Sequence, residues 1–398
     1  MRTLEHGRAA TALIGLIGAQ PWLARLSDLR RMAGGSERVA RAVAQRHAVE
    51  GALERLRQGL PMGPVERSVG ILAADAVALH GGLGVAGQVR MIEAFTAALS
   101  GDGTLVGLFH LLRVAAQHRA RGFQVRFDGF AEGAPFDLLI ARGGSVAEIV
   151  CDVISAEEGR DVQRGAWAKL IEAIDPDLRT WLASRPGRYL LKLTLNQGLR
   201  PETDSLAALQ GRVRGLLAGR ARADQDEAAI LRLEPLMLAG QGSEGQGGDG
   251  QSSEAGLMPS LRREFGHEAH LAVMTGSGGV CVLAARAGRE DEVAGAIGRR
   301  MAAVAPARLS GTRPGILAML VEDTDALEWR HLREQLEIEG AARQFLTDPA
   351  ARHVVAVSCA SRREMFEVAE SSSELRFRNP GHPAAKSADL ATAIVSSA

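Results

Sequence analysis

The sequence predicts an α/β protein, with a helical N-terminal domain followed by a mixed-sheet α/β core. Three observations carry that prediction. Residues 1 to about 120 are rich in Ala, Leu, Arg and Glu, and their apolar positions recur at intervals of three and four, the period of an amphipathic helix. From Phe123 onward, short apolar or alternating runs of strand length take turns with helical stretches. Gly-Gly pairs at 34–35, 81–82 and 143–144 punctuate the pattern as turns.

The elements follow in order. Ser36 to Leu60 carries Val39, Val43, Val49, Leu53 and Leu56 on a helical stripe, and Ser68 to His80 is helical as well. Thr104 to Arg121 is a helix. Phe123 to Phe127, Phe136 to Ala141 and Val146 to Ile154 are strands, the last two joined by Gly143-Gly144. Asp161 to Ser184 is helical, with Pro176 expected to bend or break it. Tyr189 to Leu195 is a strand, and Glu202 to Gly219 is a helix capped by Thr203 or Asp204. Gly240 to Gly256 holds almost nothing to bury and reads as a flexible linker. Beyond it, strands are expected at 270–275, 279–285, 315–321 and 352–358, and helices at 290–303 and 326–346. Phe366 to Phe377 reads as a hairpin and the last fifteen residues as loose. The domains are accordingly 1–103 (helical), 104–239 (core), 240–256 (linker) and 257–398, the last either extending the core sheet or forming a small α/β unit beside it. Helix should exceed strand.

Composition narrows the partners. The 398 residues are 46% hydrophobic, enough for a substantial core, and the 47 Lys and Arg balance the 47 Asp and Glu. A neutral molecule has no overall field to draw it to nucleic acid or anionic lipid, so such a partner must use a local patch. Cys151, Cys281 and Cys359 lie far apart, each in an expected strand, and read as buried thiols of a reducing, cytoplasmic protein. No run reaches the ~20 apolar residues that cross a bilayer. The apolar stretch Ala9 to Ala19 lacks the flanks of a signal peptide and reads as a buried helix, so no membrane partner is expected.

The segment PFDLLIARGGSVAEIVCDVISAEEGR, Pro135 to Arg160, places acids inside apolar strands. A carboxylate there is costly unless a cation, a proton or a hydrogen bond satisfies it. Side chains two apart share a strand face, so Glu148, Val150 and Asp152 point one way. Pairing across Gly143-Gly144 brings Asp137 toward that row. Close carboxylates raise one another's pKa, and a divalent cation with a preference for hard oxygen ligands resolves the conflict. The same acids also read as the polar start of one strand and a solvent-facing residue of another.

The order α-β-β-β-α-β over residues 104 to 195, with an Asp early in one strand and an acidic strand about ten residues on, resembles the PD-(D/E)xK nuclease superfamily. The resemblance implies a restriction-endonuclease-like core in which Asp137, Glu148 and Asp152 hold Mg²⁺ or Mn²⁺ for phosphodiester hydrolysis. The triplet is incomplete in either register. With Glu148 as its acid, Val150 stands where lysine belongs; with Val150-Cys151-Asp152, the acid is lost and an acid replaces the lysine. In this superfamily the lysine can migrate to the following helix, where Lys169 is the candidate, ahead of Arg164 and Lys192. Arg160, Arg164 and Lys169 recur at helical spacing and would approach phosphate, or else line a solvated helix face. Two functions follow: a nuclease-like protein with a decayed site that binds or hydrolyses nucleic acid, or a non-catalytic protein-interaction module whose partner surface is the helical N-terminal domain. The oligomeric state is not legible.

Other motifs carry less. Gly82, Gly84 and Gly87 spell GxGxxG without a preceding strand and read as an interhelix turn. His267 and His270 are too close for a zincin helix, and Thr275 to Gly279 reads as a hairpin turn.

Overall fold

A computed structural model describes residues 2–35, 37–201, 203–219, 221–237, 254–266, 268–276, 278–366 and 374–397. The chain forms two compact units, Met1–Ala156 with Ala294–Ala398, and Glu157–Val293.

The N-terminal helices are α1 (Arg2–Ile17), α2 (Ala19–Met32), α3 (Glu37–Arg46), α4 (Ala48–Arg57), α5 (Pro64–Gly82), α6 (Val85–Ala98) and α7 (Val106–Ala120). The apolar stripe read from Ser36 to Leu60 divides between α3 and α4, and Val49, Leu53 and Leu56 are buried. Gly84 caps α6, so the GxGxxG glycines do form an interhelix turn. Then follow β1 (Gln124–Arg126), α8 (Asp128–Ala131), β2 (Leu138–Arg142) and β3 (Ser145–Ser155). Arg142 pairs with Ser145 across Gly143 and Gly144, whose φ values of 55° and 90° are those of the tight hairpin turn that only glycine adopts without strain.

The second unit contains α9 (Arg164–Ser184), β4 (Gly187–Leu195), α10 (Thr203–Ala218), β5 (Ala223–Gln225), β6 (Ala229–Pro235), α11 (Glu254–Phe265), β7 (His270–Gly276) and β8 (Gly279–Ala287). Its strands run in the order β5-β6-β4-β8-β7, with β4 parallel to β8 and the other pairs antiparallel. α9 and α10 bury Trp167, Ile174, Trp181 and Val213 with Leu191, Leu231 and Leu283 of the sheet.

The first unit resumes with α12 (Val293–Arg308), β9 (Gly315–Glu322), α13 (Ala326–Glu334), α14 (Glu337–Leu346), β10 (Val354–Ser361), α15 (Arg362–Phe366), β11 (Leu375–Arg378) and α16 (Ala391–Ile394). Its sheet has the order β1-β2-β3-β9-β10-β11. β3, β9 and β10 are parallel neighbours, and the edge pairs are antiparallel. Every residue of β10 is buried, and all of β9 but Glu322, as expected of parallel strands covered on both faces. Leu138, Ile140, Ala147 and Ile149 of the sheet join Phe109, Leu112 and the N-terminal helices in one core. Gly107 lets α7 approach β3, since a Cβ there would lie 3.5 Å from Val153 Cγ2.

The α/β class and the excess of helix among the described residues agree with the sequence. The segmentation at 104–239 and 257–398 differs from the compact units. α7, β1, β2 and β3 are followed by a whole inserted unit, so α9 and β4 leave the sheet of β3, and α12 and β9 take the next places. The reason is that chain order was read as spatial order, a rule that an inserted unit breaks. Strands β5 and β6 were not anticipated. α9 runs through Pro176 as one element, whereas 326–346 divides at Leu336, which adopts φ 59°. Instead of a hairpin from Phe366, β11 pairs with the earlier strand β10, and residues 367–373 lie outside the description. The final residues include α16. Of the 240–256 linker, 240–253 lies outside the described residues and the rest opens α11. His267 and Ser277, in the two weaker motifs, also lie outside. Among the described residues no helix is long and apolar enough to cross a membrane.

Candidate functional site

Asp137 sits one residue before β2, and its backbone N–H donates to Ile149 O at 3.0 Å. That pairing sets it opposite the middle of β3. Its carboxylate Oδ2 accepts from the Cys151 N–H at 2.7 Å, and Oδ1 accepts from Arg308 Nη2 at 2.7 Å. Arg308, the last residue of α12, also donates through Nη1 to Cys151 O at 3.1 Å and through Nε to Pro135 O at 3.3 Å. One guanidinium therefore meets three oxygens that converge from β2 and β3. Burial raises the Asp137 pKa; Arg308 and the Cys151 amide oppose that, and the charge of Asp152 adds to it.

Asp152, two turns of pleat along β3, is clasped by Arg300 of α12 through Nε at 2.6 Å and Nη2 at 3.0 Å. This fork on a carboxylate is the geometry arginine is built for. Glu148 is fully buried and turned to the loop after α12. It accepts from the Ser310 N–H at 2.9 Å and the Ser310 hydroxyl at 2.5 Å, with Arg313 Nη1 at 3.7 Å. The strand pairing corresponds to the register Val150-Cys151-Asp152, and Glu148 instead fastens the turn that leads into β9.

All six oxygens of Asp137, Glu148 and Asp152 thus already have donors within the chain. A divalent cation needs those lone pairs, so the residues as arranged do not fit one. Among the described residues no group of three or more His, Cys, Asp or Glu side chains converges to hold a metal.

The remaining expected site residues belong to the second unit. Lys169 is exposed on α9. Arg160 is 2% exposed and ion-paired to Glu157, whose other oxygen accepts from the Arg164 N–H at 2.6 Å. That carboxylate occupies the positive end of α9, where an anion would otherwise be favoured. Lys192 reaches Glu234 on the neighbouring strand at 2.8 Å. The cysteines are free; Cys281 and Cys359 are buried, with thiols pushed up to about 12 chiefly by burial, and burial also raises Cys151.

The sequence reading missed Arg300, Arg308 and Ser310. Their only signal was a pair of arginines on one helix, far along the chain from the acids they serve. Compared with protein-family models, curated proteins and solved structures, the chain matches none.

Proposed function

We propose that the first unit is a PD-(D/E)xK-like scaffold whose acidic seat is closed by its own arginines, and that it serves as a non-catalytic binding module. The order α7-β1-β2-β3, resumed after the inserted unit by α12 and β9, supports the nuclease-like reading, since it keeps α-β-β-β-α-β in one sheet. The observation that carries the loss of catalysis is the Arg308 guanidinium on Asp137 Oδ1, Cys151 O and Pro135 O. In the seat that the resemblance assigns to Mg²⁺, a tethered organic cation balances the charge. A guanidinium stays protonated, so it neither ionises a water nor acts as a general base. The N-terminal helices supply the partner surface in this reading; Val85 and Val89, one turn apart on α6, are exposed.

The test is a cleavage assay on single- and double-stranded DNA and on RNA with Mg²⁺ or Mn²⁺. The expected outcome is no cleavage above that of Asp137→Ala. Metal-dependent cleavage that vanishes in Asp137→Ala would restore the enzyme reading.

A further inference from the structure

A second cluster of charge, sharing no residue with the Asp137–Asp152 seat, lies where α7 ends beside β11. Arg113 and His118 come from α7, Arg121 from its C-terminal boundary and Arg376 from β11; the carboxylate that meets them is Glu374. Arg121 Nη2 stands 3.6 Å from Glu374 Oε2, beyond hydrogen-bond distance. Burial lowers the Arg121 pKa, the charge of Arg376 lowers it further and Arg113 adds to the effect, while Glu374 opposes them. His118 is 4% exposed and meets Phe123 edge-on at 5.7 Å. Burial, then Arg121 and Arg376, push it down to about 3, so the ring is neutral near pH 7.

Basic side chains at a helix C-terminus often serve only the dipole and the last carbonyls. Here those carbonyls are already taken. The Arg121 N–H reaches Gln117 O and His118 O, the Gly122 N–H reaches Arg119 O, and the Phe123 N–H reaches His118 O. Two buried atoms in the cluster, His118 Nδ1 and Glu374 Oε2, have no hydrogen-bond partner among the described residues. Buried polar atoms are nearly always satisfied, so orphans gathered in one place call for a polar guest. The sign of the guest follows from the charges: guanidinium groups that repel one another are relieved by an anion, and forked donors suit the oxygens of phosphate.

We infer that Arg113, Arg121, Arg376 and His118 form a binding site for a phosphate dianion, free or carried at the end of a nucleotide chain. His118 donates from Nδ1, and Glu374 competes with the ligand for the arginines.

The test uses the full chain, with sodium phosphate titrated against sodium chloride at matched ionic strength. Heat of binding and the unfolding temperature are both read, and 5′-phosphorylated and 5′-hydroxyl oligonucleotides are compared in parallel. Phosphate should bind and raise the unfolding temperature. Arg121→Gln and Arg376→Gln should each weaken binding at least about tenfold, as loss of a charged hydrogen bond does. Glu374→Gln should strengthen it, because the competing carboxylate is gone. A preference for free phosphate over the 5′-phosphorylated strand identifies a small-molecule source, and the reverse identifies a nucleic-acid end. A wild-type protein that answers phosphate no differently from chloride overturns the site, whatever the variants do. So does binding that survives both arginine substitutions, or Glu374→Gln that binds phosphate no more tightly than wild type.

Discussion

Arg308 and Arg300 both neutralise an aspartate, yet their settings differ. Asp137 is the more costly to leave alone, because burial already disfavours its charge. Arg308→Ala should therefore cost about 2–4 kcal/mol in urea unfolding, toward the range for breaking a buried pair. Arg300, more exposed, should cost about 1 kcal/mol or less when replaced by Ala. The Arg308→Ala deficit should narrow as pH falls from neutral. Losing Arg308 raises the Asp137 pKa further, and protonation then removes the uncompensated charge. A deficit that is constant with pH would show that Arg308 acts by packing alone. Glu54 has the opposite sign. Hydrogen bonds from Arg57, then those from Trp22 and Gln58, hold its pKa at about 2 against the 4.5 of an unperturbed glutamate, with burial opposing them. Its contribution is present above the unfolded value and is lost as pH falls from 4.5 toward about 2. Glu54→Gln should flatten the fall in urea midpoint across that window; an unchanged slope would remove Glu54 from the acid response.

At the scale of elements, close backbone approach fixes the β4–β8 pair. Gly279 adopts φ 150°, and a Cβ there would stand 1.9 Å from Gly187 O. Gly279→Ala should destabilise the second unit by roughly 3 kcal/mol or more, measured by hydrogen exchange of the β4 and β8 amides. Protection equal to wild type would mean the strands can part at little cost. Most elements were legible because the physics that forms them is local. The Gly143-Gly144 turn flanked by apolar runs announced the β2–β3 hairpin, and the unbroken apolar runs of β9 and β10 announced buried strands. The misses are equally physical. Ala229 to Leu233 alternates buried and outward residues as a strand should, but it is short and lies beside the Gly- and Ser-rich segment that dominated the reading. The break between α13 and α14 rests on Leu336 at φ 59°, a backbone state that leucine does not advertise.

At the scale of the whole molecule, the second unit is an insertion whose two ends meet. Glu292 N–H donates to Gly159 O at 2.7 Å, and a Cβ on Gly159 would lie 2.4 Å from Val293 Cα. A unit whose ends lie together can sit inside another fold without stretching it. Deleting 157–293 and joining the flanks through a short Gly-Ser linker should leave a first unit that unfolds cooperatively. A product lacking near-ultraviolet circular dichroism would instead show that the two units fold only together. The insertion is also why the candidate site was only half legible. Asp137, Glu148 and Asp152 stood out within one short segment as acids in apolar strands, but the cations that answer them arrive after the inserted unit, and no spacing rule connects the two. Calorimetric titration of Mn²⁺ into the wild-type protein and into Arg300→Ala/Arg308→Ala tests whether arginines hold the metal seat. The wild type should give no binding heat at millimolar Mn²⁺, and the double variant should bind, with Asp137→Ala abolishing the gain. Saturable Mn²⁺ binding by the wild type that Asp137→Ala removes would contradict the closed seat.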